Sequence, residues 1–363
     1  MSDGPRRPVV AVVGVGLIGG SIGLAARRLA GTPVRGWDPA DGVLAQAVER
    51  DAVSTACGSL AEAVEGADVA FVAAPVGALP STVAEVLIAA DPDCVVTDVG
   101  STKRSVVAAV DDERFVGGHP LAGAETAGIE HARADLFKGA TWYLTPTART
   151  GGILYERLHR LLVEFGAHPT ALDAETHDAV LATVSHLPHV LANVLVARAA
   201  RLLSQEGERL PATGPSFRDA TRVAGANTEI WRDIYLDNAD ALVDAIDDTV
   251  RRLGEVRAAL VAGDGAAVAA WNDGARAERR RLLEADLAGG EVHELRVAVP
   301  NRPGVVAQVA VALGRAGVNI IDMALYPAPD MSSGTIALWV AGAERADEAQ
   351  AVLAGLNLPV ARP

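Results

Sequence analysis

Apolar residues follow three successive regimes along the 363-residue chain. From residue 8 to about residue 172, short apolar runs alternate with stretches of helical spacing. Runs at residues 8–13, 33–37, 68–75, 93–98 and 141–145 each have the length of one buried strand, and residues 115–118 lead into a His119-Pro120 turn. Apolar strands alternating with helices predict a Rossmann-type α/β fold, a doubly wound parallel sheet covered on both faces. From residue 174 to about 288 the pattern becomes long Ala/Leu/Val stretches at helical spacing, with a two-proline loop at 207–216. Much of this region is apolar on more than one face, which predicts an all-α domain with a helical dimer core. Gly289-Gly290 marks a boundary. Beyond it the pattern predicts a strand at 293–299, the turn Pro300-Asn301-Arg302-Pro303-Gly304, a helix at 305–316, strands through 319–321 and at 335–340, and a helix at 344–354. This is a small independent α+β module of ferredoxin-like β-α-β-β-α order. The expected domains are therefore 1–172, 173–288 and 292–363.

The first strand ends in Gly14-Val15-Gly16-Leu17-Ile18-Gly19, and a helical stretch over 17–30 follows. Strand, glycine turn and helix form the context in which this motif cradles a dinucleotide. Gly14 permits the tight turn, Gly16 lets the backbone approach a pyrophosphate, and Gly19 lets helix and strand pack closely. The helix start, with Leu17 and Ile18, supplies unpaired N–H groups and partial positive charge. Asp38 ends the second strand, where a carboxylate binds ribose hydroxyls and repels a 2′-phosphate, so NAD is favoured over NADP. Ligands in such sheets bind beyond the carboxyl ends of strands, where Pro75, Gly100, Ser101 and His119 fall. Residues 8–26 are apolar enough to raise a membrane span, but glycines at fixed spacing and an arginine pair straight after argue against it.

The formal charge of −14 argues against nucleic acid or an anionic membrane as general partners, so an anionic small-molecule substrate needs a local basic pocket. Cys57 and Cys94 have no metal-type spacing and read as buried, reduced thiols of a cytoplasmic protein. No signal peptide is legible at the N-terminus. Lys103 and Lys138 are the only lysines, which singles out Lys103 beside Ser101.

His119 precedes a proline, so its backbone is extended and stiff, and an imidazole suits a general base near neutrality. Ser101 opens a helix, either as a donor to an anion or cofactor amide or as the cap of a helix starting at Thr102. His177, His186 and His189 form a second group. On a straight helix His186 and His189 lie on neighbouring faces and His177 opposite, with Pro188 kinking the run. No third ligand sits at metal spacing, and anion-binding donors in a pocket are the better reading. Arg218 and Arg222, four apart, share a helix face, and an arginine fork suits a carboxylate. A surface salt bridge to Asp219 or Glu229 is the alternative.

Taken together, Gly14-x-Gly16-x-x-Gly19, the Ser101 segment, His119-Pro-Leu-Ala-Gly123, Ser185-His-Leu-Pro-His189 and Phe217-Arg-Asp-x-Thr-Arg222 resemble the prephenate/arogenate dehydrogenases, over residues 8–288. The resemblance implies oxidative decarboxylation of prephenate to 4-hydroxyphenylpyruvate in tyrosine biosynthesis with NAD. It implies His119 as the catalytic histidine on the ring hydroxyl, Ser101 as an active-site serine and Arg222 on a substrate carboxylate. His177, His189 and Trp231 become pocket positions, and the helical domain a homodimer interface. Ala124 departs from members carrying a hydroxyl residue there. Residues 292–363 resemble an ACT domain through Asn301-Arg-Pro-Gly304 and Gly317-Val-Asn-Ile-Ile321. That implies an aromatic amino-acid effector between paired modules, or a purely structural module. Arogenate or an amino-substituted prephenate is the alternative substrate. A 3-hydroxyacid or 6-phosphogluconate-type dehydrogenase would want a catalytic lysine in the helical domain, and no lysine follows Lys138. A non-catalytic NAD and amino-acid sensor would need no proton acceptor at His119.

Overall fold

The structure is a computed structural model that describes residues 7–122, 126–203, 214–286, 291–328 and 332–363. Gly123 and Ala124, most of the 207–216 loop and Gly289-Gly290 lie outside the described residues. The chain divides into two compact units, one of residues 1–178, 227–237 and 292–363, the other of residues 179–226 and 238–291.

The first unit is built on two sheets. Eight strands, β1 (Val10–Val13), β2 (Val34–Trp37), β3 (Thr55–Ala56), β4 (Val69–Val72), β5 (Val95–Asp98), β6 (Phe115–Pro120), β7 (Thr141–Thr145) and β8 (His168–Ala171), line up in the order 3-2-1-4-5-6-7-8. The central β1, β4 and β5 are wholly buried, which is why β1 and β4 read as continuous apolar runs, while β5 ends in the buried polar pair Thr97-Asp98. The sheet is parallel except where β7 runs antiparallel to β6, so the expected all-parallel sheet holds only up to β6. His119 and Pro120 are the last residues of β6, paired with Tyr143 and Trp142, rather than a turn beyond the strand. β8 escaped the sequence pattern because it carries Pro169, tolerated on this edge strand. Cys57 and Cys94 are buried, and burial pushes the Cys94 thiol up to about 12.

The second sheet is antiparallel, with β9 (Val292–Pro300), β10 (Ile320–Pro327), β11 (Ser333–Ala341) and β12 (Val360–Ala361) in the order 10-11-9-12. The helices Val305–Arg315 and Ala343–Gly355 complete the module. It does not stand apart as an independent body. Leu158, Leu161 and Ala171 of the nucleotide domain and Val306, Val309, Leu313 and Met323 of the module belong to one buried cluster. A Cβ at Gly314 would meet the Ala171 carbonyl oxygen at 1.7 Å, so only glycine lets this helix lie against β8. Arg315 closes the seam with a 2.7 Å ion pair to Asp173.

The second unit is helical: Leu187–Leu203, Pro215–Thr221, Ala239–Ala262 and Gly265–Asp286. A π-helical turn, Ala182–His186, directly precedes the segment carrying Pro188. The helices expose apolar side chains, among them Val194, Val250, Leu253 and Leu260. The run Ala174–Arg201 is long and apolar enough to cross a membrane by length and composition, with 28% of its most apolar window buried.

Candidate active site

The three motif glycines do two different jobs. Gly14 has φ +89°, and a Cβ there would meet the Ala73 carbonyl oxygen at 2.4 Å. At Gly19 a Cβ would strike the Gly14 carbonyl oxygen at 1.9 Å. At Gly16 a Cβ would meet nothing within 4 Å. Gly14 and Gly19 are thus demanded by packing, whereas Gly16 opens onto space at the start of the helix Leu17–Arg28. That helix has no acidic residue in its first turn, so its N–H groups and dipole suit a pyrophosphate. Across the turn, Asp38 accepts hydrogen bonds from the backbone N–H groups of Val15 (2.7 Å) and Ala40 (2.8 Å). A carboxylate has about four acceptor sites, so acceptor capacity remains for a ribose diol. These residues fit a dinucleotide. Pro75 follows β4 and opens the short turn Val76–Ala78, against which the helix Thr228–Asp237 packs. That helix carries Trp231, tilted against Tyr235 with ring centroids 5.5 Å apart. Ser105 ties its end down by donating to Asp237 at 2.8 Å.

His119, only 8% exposed, ends β6 with Nδ1 2.9 Å from His177 Nε2. His177 Nδ1 lies 2.7 Å from Asp178 Oδ1, and both side chains are fully buried. The Tyr143 ring stands edge-on to His177, with centroids 5.6 Å apart. Asp178 also accepts from the backbone N–H groups of Lys103 (2.8 Å) and Arg104 (3.0 Å), and pairs with the Arg104 guanidinium. Burial alone would raise the Asp178 carboxyl, but the hydrogen bonds from His177, Arg104 and Lys103 outweigh it and hold the pKa below its usual value. Burial pushes His177 down, helped by the Lys103 charge and opposed by Asp178, so its ring is neutral near pH 7.

The protons can therefore be placed. Ionised Asp178 only accepts, so His177 carries its proton on Nδ1 and offers a lone pair at Nε2. His119 then donates from Nδ1, and its Nε2 is the acceptor. This is the arrangement a general base requires: a base, a partner that orients it, and a buried anion behind.

A second buried device lies beneath it. The Lys103 ammonium pairs with Asp98, both 0% exposed. Asp98 also accepts from the N–H groups of Gly100 (2.8 Å) and Gly118 (3.0 Å). One carboxylate thus joins the segment carrying Ser101 to the strand carrying His119.

Several expectations change. Ser101 does not cap a helix at Thr102, because the helix runs Arg104–Ala109 and its N-terminal groups are capped by Asp178. His177, expected at the substrate pocket, has both ring nitrogens engaged in this structure, by His119 and by Asp178. Arg218 and Arg222 do not share one regular helix face, since the α-helix ends at Thr221 and Arg222 opens a 3-10 turn, Arg222–Gly225. That turn packs on the helix carrying His189, whose pKa is lowered by burial against a hydrogen bond with the Val223 backbone. His186 Nδ1 lies 3.2 Å from Asn238. Asp178 and Asp98 were missed. The signal for Asp178 was its place beside His177, and for Asp98 its place five residues before the conspicuous Lys103.

Three family descriptions match the chain in order: the nucleotide-binding domain of prephenate dehydrogenase at residues 22–170, the dimerization domain of prephenate dehydrogenase at 173–271, and the ACT domain at 293–352. Prephenate dehydrogenase of Bacillus subtilis is 30% identical over 340 residues, covering 91% of each chain. Cyclohexadienyl dehydrogenase of Zymomonas mobilis is 33% identical over 264 residues, covering 70% of this chain and 89% of the relative. The crystal structure of prephenate dehydrogenase from A. aeolicus in complex with hydroxyphenyl propionate and NAD+ matches with a TM-score of 0.71 at 27% identity, covering 77% of this chain and 100% of that one.

Proposed function

The chain belongs to the prephenate dehydrogenase family, and from that premise we propose that its substrate is prephenate, oxidatively decarboxylated to 4-hydroxyphenylpyruvate. Membership makes it an NAD-dependent oxidoreductase with a C-terminal ACT domain. The observation that carries the mechanism is the relay Asp178–His177–His119. His119 Nε2 takes the proton of the ring hydroxyl as the hydride leaves the same carbon. The positive charge that develops on His119 is shared with His177 and faces the buried Asp178 carboxylate, which lowers the cost of the step. When bound, NAD supplies the hydride acceptor. Loss of the ring carboxylate as CO₂ then restores aromaticity.

Arg222 is assigned the carboxylate that the product retains, because clamping the departing one would stabilise charge that must be lost. His189 and Trp231 are assigned to the substrate pocket, and Ser101 to the reacting hydroxyl or the cofactor amide. The exposed valines and leucines of the helical unit, together with its match to a dimerization domain, support a homodimer.

The test is nicotinamide reduction followed by absorbance, with prephenate and arogenate each offered with NAD and NADP. Turnover of prephenate with NAD is expected. Preference for arogenate would move the assignment to that substrate.

A further inference from the structure

The helix Ala174–Leu181 carries His177 and Asp178, and Asp173 stands immediately before it. Asp173 accepts from the Thr176 backbone N–H at 3.0 Å and from the Thr176 hydroxyl at 2.7 Å, and its carbonyl takes the His177 N–H at 2.9 Å. This is an N-cap, and it bears directly on the relay, because the last of the N–H groups it engages belongs to His177. Within the nucleotide domain Arg104 grips the same helix, paired with Asp178 at 3.3 Å and with Glu175 at 3.7 Å.

The Asp173 carboxylate has a further partner, from the ACT module. Arg315 reaches it with Nε at 2.8 Å and Nη2 at 2.7 Å, both to Oδ2, the oxygen that also takes the Thr176 hydroxyl. Arg315 lies in the last turn of the helix Val305–Arg315. Each charge suits its own helix end, the cation at the negative end of one dipole and the anion at the positive end of the other. Burial would raise the Asp173 carboxyl, but hydrogen bonds from Thr176 and Arg315 outweigh it and keep the group ionised near neutral pH. The neighbouring residue fixes the approach. Gly314 lies against the carbonyl of Ala171, just upstream of Asp173, where any side chain would collide. Thr170 adds a 3.3 Å hydrogen bond to Asn319 along the same seam.

We propose that Arg315 is a positioning residue for the dehydrogenase reaction: through Asp173 it holds in place the helix start that presents His177 and Asp178 to His119. The proposal rests on the relay reading of the active site. It gives the ACT module a part in catalysis within its own chain, independent of any effector. A partly exposed ion pair adds little to stability. Its effect here is geometric, since the relay works through two hydrogen bonds, 2.9 and 2.7 Å long, that a small shift of the helix start would lengthen. An arginine suits this task better than a lysine, because two N–H groups in a rigid fork fix direction as well as distance.

The experiment is steady-state kinetics on the full chain, with NAD saturating, prephenate or arogenate varied (whichever is turned over), and active sites counted by NAD titration. Arg315→Ala and Asp173→Asn should each lower kcat at least about threefold with KM near wild type, and the double variant should lose no more than either alone. Asparagine can still cap the helix at Thr176, so the loss in Asp173→Asn reads the ion pair. Arg315→Lys should recover part of the loss. On an Asp178→Asn background, Arg315→Ala should change kcat by less than about 1.5-fold, because the relay it positions is already broken. Arg362→Ala removes a different ion pair of the module, 2.6 Å to Asp347, and should leave kcat at the wild-type value. Wild-type kcat in Arg315→Ala, a change confined to KM, an undiminished loss on the Asp178→Asn background, or an equal loss in Arg362→Ala would overturn the proposal. In each of those cases an impaired Asp178→Asn would leave the relay reading standing. Wild-type kcat in Asp178→Asn would sink the relay and this proposal with it.

Discussion

His119 Nδ1 stands 2.9 Å from His177 Nε2, and this contact decides which nitrogen of His119 can act as a base. With Asp178 holding the far side of His177, Nε2 of His119 is left as the proton acceptor. Replacing His119 by Asn should lower kcat by about 10²- to 10⁴-fold, the usual contribution of a general base. The dissociation constant for NAD should change little. Wild-type turnover would remove His119 from the chemistry.

Asp178→Asn keeps the shape but permits the wrong tautomer of His177, which in turn can reverse the donor sense at His119. Turnover should fall by at least about tenfold while KM for substrate stays near wild type. A rise in KM with unchanged kcat, measured by initial rates, would show that Asp178 serves the fold and not the relay.

Lys103→Met should leave Asp98 buried and unpaired, at a cost of about 3–5 kcal/mol. The double variant Lys103→Met/Asp98→Asn should recover part of that loss. Urea unfolding of the four proteins gives the coupling energy. Purely additive losses would show that the two charges do not depend on each other.

Gly16→Ala should fold normally, because nothing lies within 4 Å of the added methyl, but should weaken NAD binding. Gly14→Ala should compromise folding, since φ is +89° and the Ala73 carbonyl is only 2.4 Å from the new Cβ. Melting temperature and NAD titration separate the two effects. Unchanged NAD affinity in Gly16→Ala would mean the pyrophosphate does not approach that residue.

Stability should fall on acidification through His159. It is 1% exposed at the seam between the nucleotide domain and the ACT module, and burial pushes its pKa from 6.5 down to about 4, against an opposing influence of Asp322. The unfolded chain protonates first, so stability is complete above about pH 6.5 and is lost as pH falls towards about 4, by on the order of 3 kcal/mol. Burial shifts His177 in the same direction, so it adds to the loss. His159→Phe should flatten the dependence of melting temperature on pH in that window. An unaltered slope would assign acid lability elsewhere.

Much of this molecule was legible before any coordinates. β1 and β4 read correctly because strands buried on both faces have no polar alternation to blur them. Gly14, Gly16, Gly19 and Asp38 could be placed because the motif is local, its parts bound together by a strand, a turn and a helix. The β6–β7 reversal was not legible, since a strand's direction relative to its neighbour leaves no mark on its own pattern. Nor was β8, whose Pro169 mimics a loop.

The sequence by itself determined the order of domains, the dinucleotide turn, and the residue types available for proton transfer. Only the tertiary structure brought His177 and Asp178 up behind His119 and set the sense of the hydrogen bond between the two histidines. His119 and His177 lie fifty-eight positions apart, and the direction of their hydrogen bond depends on a third group, Asp178, and on the exclusion of water from all three. Burial and relative orientation arise from strands brought side by side, so no run of neighbouring residues encodes them.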